Sequence, residues 1–315
     1  MIDRQQPMPR PHGWQFIDLA EHGVNTGRSY VAALLCIVLC PLGAAVLLGL
    51  AVGVGAALRH TPPGSMAPIA AVMEQYGPIV VAGAAVLYGV VRLHRRPWRS
   101  LIAPDLHIDR RRLAIGGGVE FAILVGQLAI VQALTGWSWR LVMPGAAAAA
   151  AFALGLVLIP LQAASEEILF RGYLTQALGR AVRSRILIAG IVGLLFGLLH
   201  LHAHGPLTVP YFLIVALIFS LVSLRDDRLE LAIGGHAAMN LFAFAVANII
   251  LIGPGPVDPG VGDPGLSEPG VIGAGQSAMP FNWAAILVLI VNGALFYGVT
   301  RLLVRVICDR GAVRR

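Results

Sequence analysis

The chain has 315 residues, of which 57% are hydrophobic and only 12% charged, and its mean hydropathy is +0.78. This composition excludes an ordinary soluble protein, and the few aromatic residues without alternating polarity exclude a transmembrane β-barrel. The net charge of +7 would indicate a nucleic-acid partner in a soluble chain, but here the basic residues lie in short loops between apolar segments. We therefore predict an all-α polytopic membrane protein, a bundle of about eight transmembrane helices, whose partner is the lipid bilayer and not nucleic acid.

Apolar runs long enough to cross a bilayer recur along the whole chain, separated by loops that contain Arg, Pro or Gly. The first run begins too late, after a polar segment, to belong to a cleavable signal peptide, so we expect it to remain as a transmembrane helix. Trp137 and Trp139 follow the third run and are typical of an anchor at the membrane interface. The predicted helices span residues 30–58, 69–91, 113–134, 145–178, 186–201, 207–224, 231–252 and 282–306.

The distribution of arginine sets the predicted orientation of these helices. All 23 basic residues are arginine. If both termini are cytoplasmic, Arg59 and Arg140 lie outside and the other 21 of the 23 lie inside, as the positive-inside rule requires. We therefore predict a multi-pass protein of the cell membrane with both termini in the cytoplasm. The Arg-only, Ala- and Gly-rich composition favours a bacterial inner membrane.

Composition divides the chain into five predicted regions. Between the last two helices, three near-repeats that each end in Pro-Gly run from residue 256 to residue 270, and such a segment cannot bury apolar surface. The regions are a cytoplasmic N-terminal segment (1–28), three accessory transmembrane helices (29–140), a motif-bearing core (141–252), a flexible extracytoplasmic Pro/Gly loop (253–281), and the last helix with an Arg-rich cytoplasmic tail (282–315).

The fourth predicted helix carries two adjacent carboxylates, Glu166 and Glu167, inside a long apolar region. Ionisable side chains at bilayer depth are costly and are interpreted first as functional sites. Neighbouring residues of a helix point about 100° apart, so the two carboxylates are expected to take different tasks. Arg171 follows Glu167 at the spacing of an ion pair, and we interpret these two as a supporting pair that leaves Glu166 to face a cavity. The same residues would also suit a cytoplasmic helix at the membrane interface.

Two further polar motifs lie in the apolar helices that follow. Phe196 and His200 are four residues apart, as are His236 and Asn240, so each pair lies on one face of its helix. Taken alone, a histidine on an apolar helix is often a satisfied core residue, and a His and Asn pair is often a clamp between helices.

Depth in the membrane connects the three motifs. Counted from the nearest cytoplasmic arginine at about 1.5 Å per residue, Glu166, His200 and Asn240 lie roughly 21, 22 and 18 Å into the chain's apolar segments. Independent polar residues have no reason to agree in this way. The agreement therefore predicts that the three motifs meet in one site.

The fourth predicted helix is too long for a simple crossing. Residues 145–178 would extend for about 51 Å as a straight helix, whereas the hydrocarbon core of a bilayer is about 30 Å thick. We expect either a tilted helix with a kink near Pro160 or two separate helices, one Ala-rich and one carrying the carboxylates.

In their order along the chain, the three motifs resemble those of the CAAX protease and bacteriocin-processing family, also called CPBP or Abi. The resemblance covers roughly residues 145–250, about a third of the chain, and each motif alone would be weak. It implies a CAAX-type intramembrane glutamic endopeptidase, a helical bundle whose site opens toward the cytoplasm, and a membrane-associated protein or peptide as substrate. The residues that carry the resemblance are Glu166, Glu167, Arg171, Phe196, His200, His236 and Asn240.

The resemblance also implies a role for each side chain. Glu166 and His200 would activate the attacking water, and His236 with Asn240 would hold the oxyanion. Glu167 and Arg171, together with Phe196, would support the site. Peptide hydrolysis needs a base for water, a stabiliser of the oxyanion and a proton donor for the leaving amine, and the set supplies all three.

The residues leave other readings open. Glu166, His200 and His236 form the His2Glu set of zinc hydrolases, with His204 as a further possible ligand, although no HExxH sequence is present. We expect no cofactor, with zinc as the alternative. A catalytically silent scaffold or immunity protein could use the same polar network to bind a partner. A proton-coupled transporter would need inverted repeats, which are absent from the sequence, and Glu120 is one of the few other polar residues that could extend a proton path.

Overall fold

The computed structural model describes residues 14–58, 68–135, 138–141, 146–201, 208–248, 250–253 and 283–309. In this part of the chain, eight long apolar helices form the bundle, and six of them are long and apolar enough to cross a membrane. The predicted all-α, multi-pass membrane fold is confirmed. We label the helices Gly27–Leu58 (α1), Pro68–Tyr88 (α2), Arg110–Thr135 (α3), Ala146–Glu167 (α4), Arg185–Leu199 (α5), Val209–Asp226 (α6), Glu230–Asn248 (α7) and Trp283–Leu303 (α8).

Helices predominate because the chain is rich in Ala and Leu, which favour helices, and because a backbone in lipid must satisfy its own hydrogen bonds. One small exception lies at the end of α7. We predicted a helix to residue 252, but α7 ends at Asn248, and Ile250–Gly253 (β2) pairs antiparallel with Ser138–Leu141 (β1). Ile250 and Ile252 are β-branched and favour an extended backbone. The predicted Trp anchor therefore falls partly in a strand, and the predicted Pro/Gly loop lies almost entirely outside the described residues.

The fourth helix is continuous but changes its winding after Glu167. α4 continues without a break through a π-helix, Ile168–Leu174, and a last α-helical turn, Thr175–Gly179. We call Ala146–Gly179 the motif helix. Pro160 lies inside its α-helical part, so the helix is neither divided there nor split into the two helices that we considered. The π winding is fixed at its end by Thr175, whose backbone N–H and hydroxyl both donate to the Phe170 carbonyl five residues earlier.

The N-terminal segment packs against the C-terminal end of the motif helix, which its polar composition did not predict. A short helix, Trp14–Ile17, is followed by a 3-10 turn, Asp18–His22. Phe16 and Ile17 are almost fully buried, and Ile17 lies directly against Gly179, where a Cβ would overlap its side chain. The absence of a side chain at Gly179 thus allows the segment to dock.

A buried histidine joins this segment to the rest of the bundle. Burial lowers the pKa of His94, which favours the neutral imidazole. Its Nδ1 lies 2.8 Å from the Val24 carbonyl oxygen, which can only accept, and its Nε2 lies 2.9 Å from the Tyr173 hydroxyl. Nδ1 therefore donates to Val24, and Nε2 accepts from Tyr173.

Glycines bring α3 and α7 into backbone contact. A Cβ at Gly116 would overlap the carbonyl oxygen of Leu231, and a Cβ at Gly234 would overlap that of Leu113. Small residues of this kind let membrane helices approach closely, where packing drives their association. Because Gly234 lies two residues before His236, this contact sets the position of the third motif.

We predict that Gly116→Ala and Gly234→Ala each lower the free energy of unfolding by about 1–3 kcal/mol, the usual cost of overpacking. Thermal unfolding of the purified protein in detergent measures the change. Gly118→Ala is the matched control, because a Cβ at Gly118 meets no atom within 4 Å. Equal stability of Gly116→Ala and Gly118→Ala would contradict the close contact.

Candidate active site

The carboxylate of Glu167 lies at the centre of a buried polar cluster. Its side chain has no exposed surface, and its Oε1 accepts from Arg171 Nη1 at 2.9 Å. The predicted ion pair along the helix therefore forms. The same oxygen lies 2.8 Å from His236 Nδ1, on α7. Because an ionised carboxylate only accepts, Nδ1 carries the hydrogen of this bond. Glu167 thereby fixes the orientation of the imidazole ring.

His236 also reaches the first carboxylate of the pair. Its Nε2 lies 3.5 Å from Glu166 Oε2, so the one ring lies between both glutamates. We expected the two carboxylates to take different tasks, because they point to different faces of the helix, but both contact the same ring. The imidazole is wide enough to contact both, since its two nitrogens lie on opposite sides of the ring. The two glutamates still differ in exposure, with Glu166 at 8% and Glu167 at 0%.

Aromatic rings close the cluster around Arg171. The guanidinium lies over the ring of Phe196, 4.7 Å from its centroid, and Arg171 is 1% exposed. Phe196 also contacts the ring of Phe170 edge to face at 5.1 Å. A cation over an aromatic face is stabilised more strongly when both are shielded from water. Phe196 therefore connects the second motif to the charged pair of the first.

His200 lies at the end of α5, one turn after Phe196. Its Nδ1 lies 2.7 Å from the Phe196 carbonyl oxygen, and its ring stacks on Phe212 of α6 with centroids 4.0 Å apart. The carbonyl can only accept, so Nδ1 carries a hydrogen and Nε2 is the acceptor nitrogen of the neutral ring. Phe196 contacts the rings of His200 and His236 at 4.5 and 6.2 Å, so both histidines adjoin the same aromatic side chain.

Asn240 is held by a residue that the motif pattern did not include. Its Nδ2 donates to Oε1 of Gln162 at 2.9 Å, and Gln162 is also hydrogen-bonded to Glu166. Gln162 lies one helical turn before Glu166, on the same face of α4. A glutamine in an otherwise apolar helix, four residues before a motif carboxylate, was the sequence signal that could have identified it.

The predicted site residues thus fall into one connected region. Hydrogen bonds or ion pairs join the first and third motifs directly, and ring contacts add the second motif. Within the described residues, no group of three His, Cys, Asp or Glu side chains has an arrangement that could hold a metal ion. His204, which we considered as a further ligand, lies outside the described residues. The first and third motif residues in the network are Glu166, Glu167, Arg171, His236 and Asn240, and the second motif adds Phe196 and His200.

A third buried carboxylate lies on the neighbouring helix α3. Glu120 is 2% exposed and accepts a hydrogen bond from Asn292 Nδ2 of α8 at 3.2 Å. It also lies close enough to His236 to interact with it electrostatically. Glu120 thus has a defined structural partner in the last helix, as expected for a buried polar group.

The part of the chain that carries these residues is similar to a known protein family. Residues 146–242 match the family model described as "Type II CAAX prenyl endopeptidase Rce1-like", and all three motifs fall inside the matched range. The resemblance predicted from the motifs is confirmed. α1 to α3 and α8 lie outside the matched range.

One curated relative is the "Uncharacterized protein YyaK" of Bacillus subtilis (strain 168), which is 29% identical over 154 residues. The aligned region is 47% of this chain and 52% of the relative, so the chain spans about half the length of the curated relative that it matches. No solved structure matches the chain significantly.

We predict that Arg171→Met lowers the free energy of unfolding by about 3–5 kcal/mol, because it leaves a buried carboxylate without its cation. Arg183→Met is the control, since Arg183 is 68% exposed and lies 3.9 Å from Asp18. Loss of such an exposed pair should cost less than about 1 kcal/mol. Thermal unfolding in detergent compares the two variants, and equal losses would show that Glu167 does not depend on Arg171.

Proposed function

We propose that this protein is an intramembrane endopeptidase that hydrolyses a peptide bond of a membrane-associated protein or peptide. The observation that carries the proposal is the contrast between the two glutamates. Glu167 is fully buried between Arg171 and His236, whereas Glu166 keeps a small exposed surface beside the same histidine. A polar cluster in which one carboxylate keeps 8% of its surface exposed, inside a segment that matches an endopeptidase family, supports hydrolysis by activated water.

Glu166 is the base in this proposal. Its carboxylate takes a proton from water, the oxygen attacks the carbonyl carbon, and the carbonyl π electrons move to the oxygen to form a tetrahedral oxyanion. Glu166 then returns the proton to the amide nitrogen as the C–N bond breaks. An adjacent but fully buried carboxylate such as Glu167 could not exchange protons with a substrate in this way.

His200 assists Glu166 by orienting the water. Because Nδ1 of His200 donates to the Phe196 carbonyl, Nε2 is the nitrogen that can accept a hydrogen bond from water. Stacking on Phe212 fixes the plane of the ring. A water molecule held by a carboxylate and an imidazole has one hydrogen directed to each, which points an oxygen lone pair toward the substrate carbonyl.

Asn240 and His236 stabilise the oxyanion. The carboxamide of Asn240 uses one N–H for Gln162 and has a second N–H for the substrate oxygen. His236 can donate to the same oxygen from Nε2 when the ring carries both hydrogens. Donors fixed in advance of the reaction are the usual source of oxyanion stabilisation.

The remaining site residues support this arrangement. Glu167 holds Nδ1 of His236, and Arg171 compensates the charge of Glu167. Phe196 packs on Arg171 and on both histidines, which fixes their separation.

We place the site in a cell membrane, with an opening toward the cytoplasm and both termini on that side, in agreement with the distribution of arginine. A CAAX-type tail is the substrate class that the matched family suggests.

We predict that Glu166→Ala, Glu166→Gln and His200→Ala each abolish cleavage, because loss of a general base typically costs about 10²–10⁴ in rate. Mass spectrometry of membranes from cells that carry the wild type or a variant measures which peptides are cleaved. Glu74→Ala is the control, because Glu74 is a carboxylate on α2 outside the motif helix. Retention of the same cleaved peptides in the Glu166 and His200 variants would overturn the proposal.

The same variants separate catalysis from a scaffold or immunity function. Glu166→Gln keeps the shape and hydrogen-bonding capacity of the side chain but removes its basicity. A scaffold would therefore retain its biological effect in Glu166→Gln, whereas an endopeptidase would lose it.

We further predict that the activity does not require a metal ion. His236 directs both ring nitrogens toward carboxylates, so the zinc set of Glu166, His200 and His236 would have to break the contact with Glu167. Dialysis against EDTA and 1,10-phenanthroline should leave the cleavage rate unchanged, and elemental analysis should find substoichiometric zinc in the active protein. Loss of activity that added zinc restores would instead support the metal-dependent variant.

A further inference from the structure

Gln162 is a buried carboxamide at the point where α4 meets α7. It is 4% exposed, in an apolar part of the motif helix. A buried carboxamide must find partners for both its oxygen and its nitrogen, since unpaired polar groups are costly in a membrane. Both partners of Gln162 are residues to which we assign chemistry, Glu166 and Asn240.

The hydrogen bonds define which end of the carboxamide faces which partner. Gln162 Oε1 accepts from Asn240 Nδ2 at 2.9 Å. A carboxylate has no hydrogen to donate when ionised, so the Gln162 bond to Glu166 is a donation from Nε2. The chain of donors thus runs in one direction, from Asn240 through Gln162 to Glu166.

We propose that Gln162 is a positioning residue that couples the base of the reaction to the oxyanion donor. This inference rests on the proposed endopeptidase function. Nε2 of Gln162 donates to one oxygen of Glu166, which fixes the orientation of the carboxylate that acts as base. Oε1 of Gln162 accepts a hydrogen bond from one N–H of Asn240. The second N–H of Asn240 is thereby directed away from Gln162 and toward the substrate.

The direction of the chain distinguishes this role from simple packing. A Gln162→Glu variant keeps the size and the acceptor for Asn240, but it places a second carboxylate against Glu166 and removes the donor. A Gln162→Met variant keeps the approximate volume and removes both hydrogen bonds. A packing role predicts that Gln162→Met retains activity, because the volume is kept. The positioning role predicts that Gln162→Met loses activity although it packs, and that Gln162→Glu, which also places a charge against Glu166, loses more.

The test uses the full-length protein in detergent and a synthetic peptide that spans a Glu166-dependent cleavage site identified in membranes. We expect Gln162→Met to lower kcat by about 10- to 100-fold, the scale of a small misplacement of catalytic groups, with KM nearly unchanged. Gln162→Glu should lower kcat further. Gln75→Met on α2 makes the same chemical change at an exposed position and should leave both constants unchanged.

A double-mutant comparison then tests the coupling to Asn240. Adding Gln162→Met to Asn240→Ala should cost much less than Gln162→Met alone, because part of its role is already lost. Fully multiplicative effects would overturn the coupling. If Gln162→Met does not fold, as judged by gel filtration and thermal unfolding, Gln162→Asn serves instead, since its shorter carboxamide cannot reach both partners.

The outcomes separate this inference from the function on which it rests. Wild-type cleavage that depends on Glu166, together with unchanged kcat in the folded Gln162 variants, overturns the role of Gln162 alone. The absence of any Glu166-dependent cleavage in membranes overturns the endopeptidase function and this role with it.

Discussion

The structure depends on the burial of one carboxylate, that of Glu167, inside the helical bundle. Glu167 has no exposed surface, so its charge must be compensated by groups that the protein itself supplies. Arg171 comes from the same helix and His236 from α7, and Phe196 of α5 covers the guanidinium. One buried charge therefore requires three separate helices to be in register, and the neighbouring Glu166 takes its position from that requirement.

Helices outside the matched segment also determine the geometry of the site. Gly116 of α3 and Gly234 of α7 allow the two backbones to touch, and Phe296 of α8 lies against Gly235, beside His236. The imidazole of His236 also stacks on Phe219 of α6. Close packing of this kind leaves a polar side chain few alternative rotamers. The packed helices can therefore hold the site rigid even though the surrounding lipid is fluid.

The parts of the fold and site that follow local rules could be predicted from the sequence. Apolar length gave the helices, and the four-residue spacing gave the pair of Glu167 and Arg171. Contacts between helices could not be read in this way, because the rotation of one helix against another depends on packing along its whole length. For that reason the approach of His236 to both glutamates and the role of Gln162 as a partner of Asn240 required the structure. The docking of Phe16 and Ile17 was missed since a short apolar pair in a polar segment has no periodicity.

The π winding after Glu167 has a consequence for how this protein can vary during evolution. A π turn contains more residues than an α turn that spans the same rise. The segment from Ile168 to Leu174 therefore contains more residues than an α-helical segment of the same length would. Deletion of one residue there can be absorbed by a return to α winding, without rotating Gln176 away from Arg96 or the glutamates away from α7. Elsewhere in the motif helix a deletion would turn the downstream half by about 100°. Homologues that differ in length by a single residue are therefore expected to place that difference between the carboxylate pair and the C-terminal end of the motif helix.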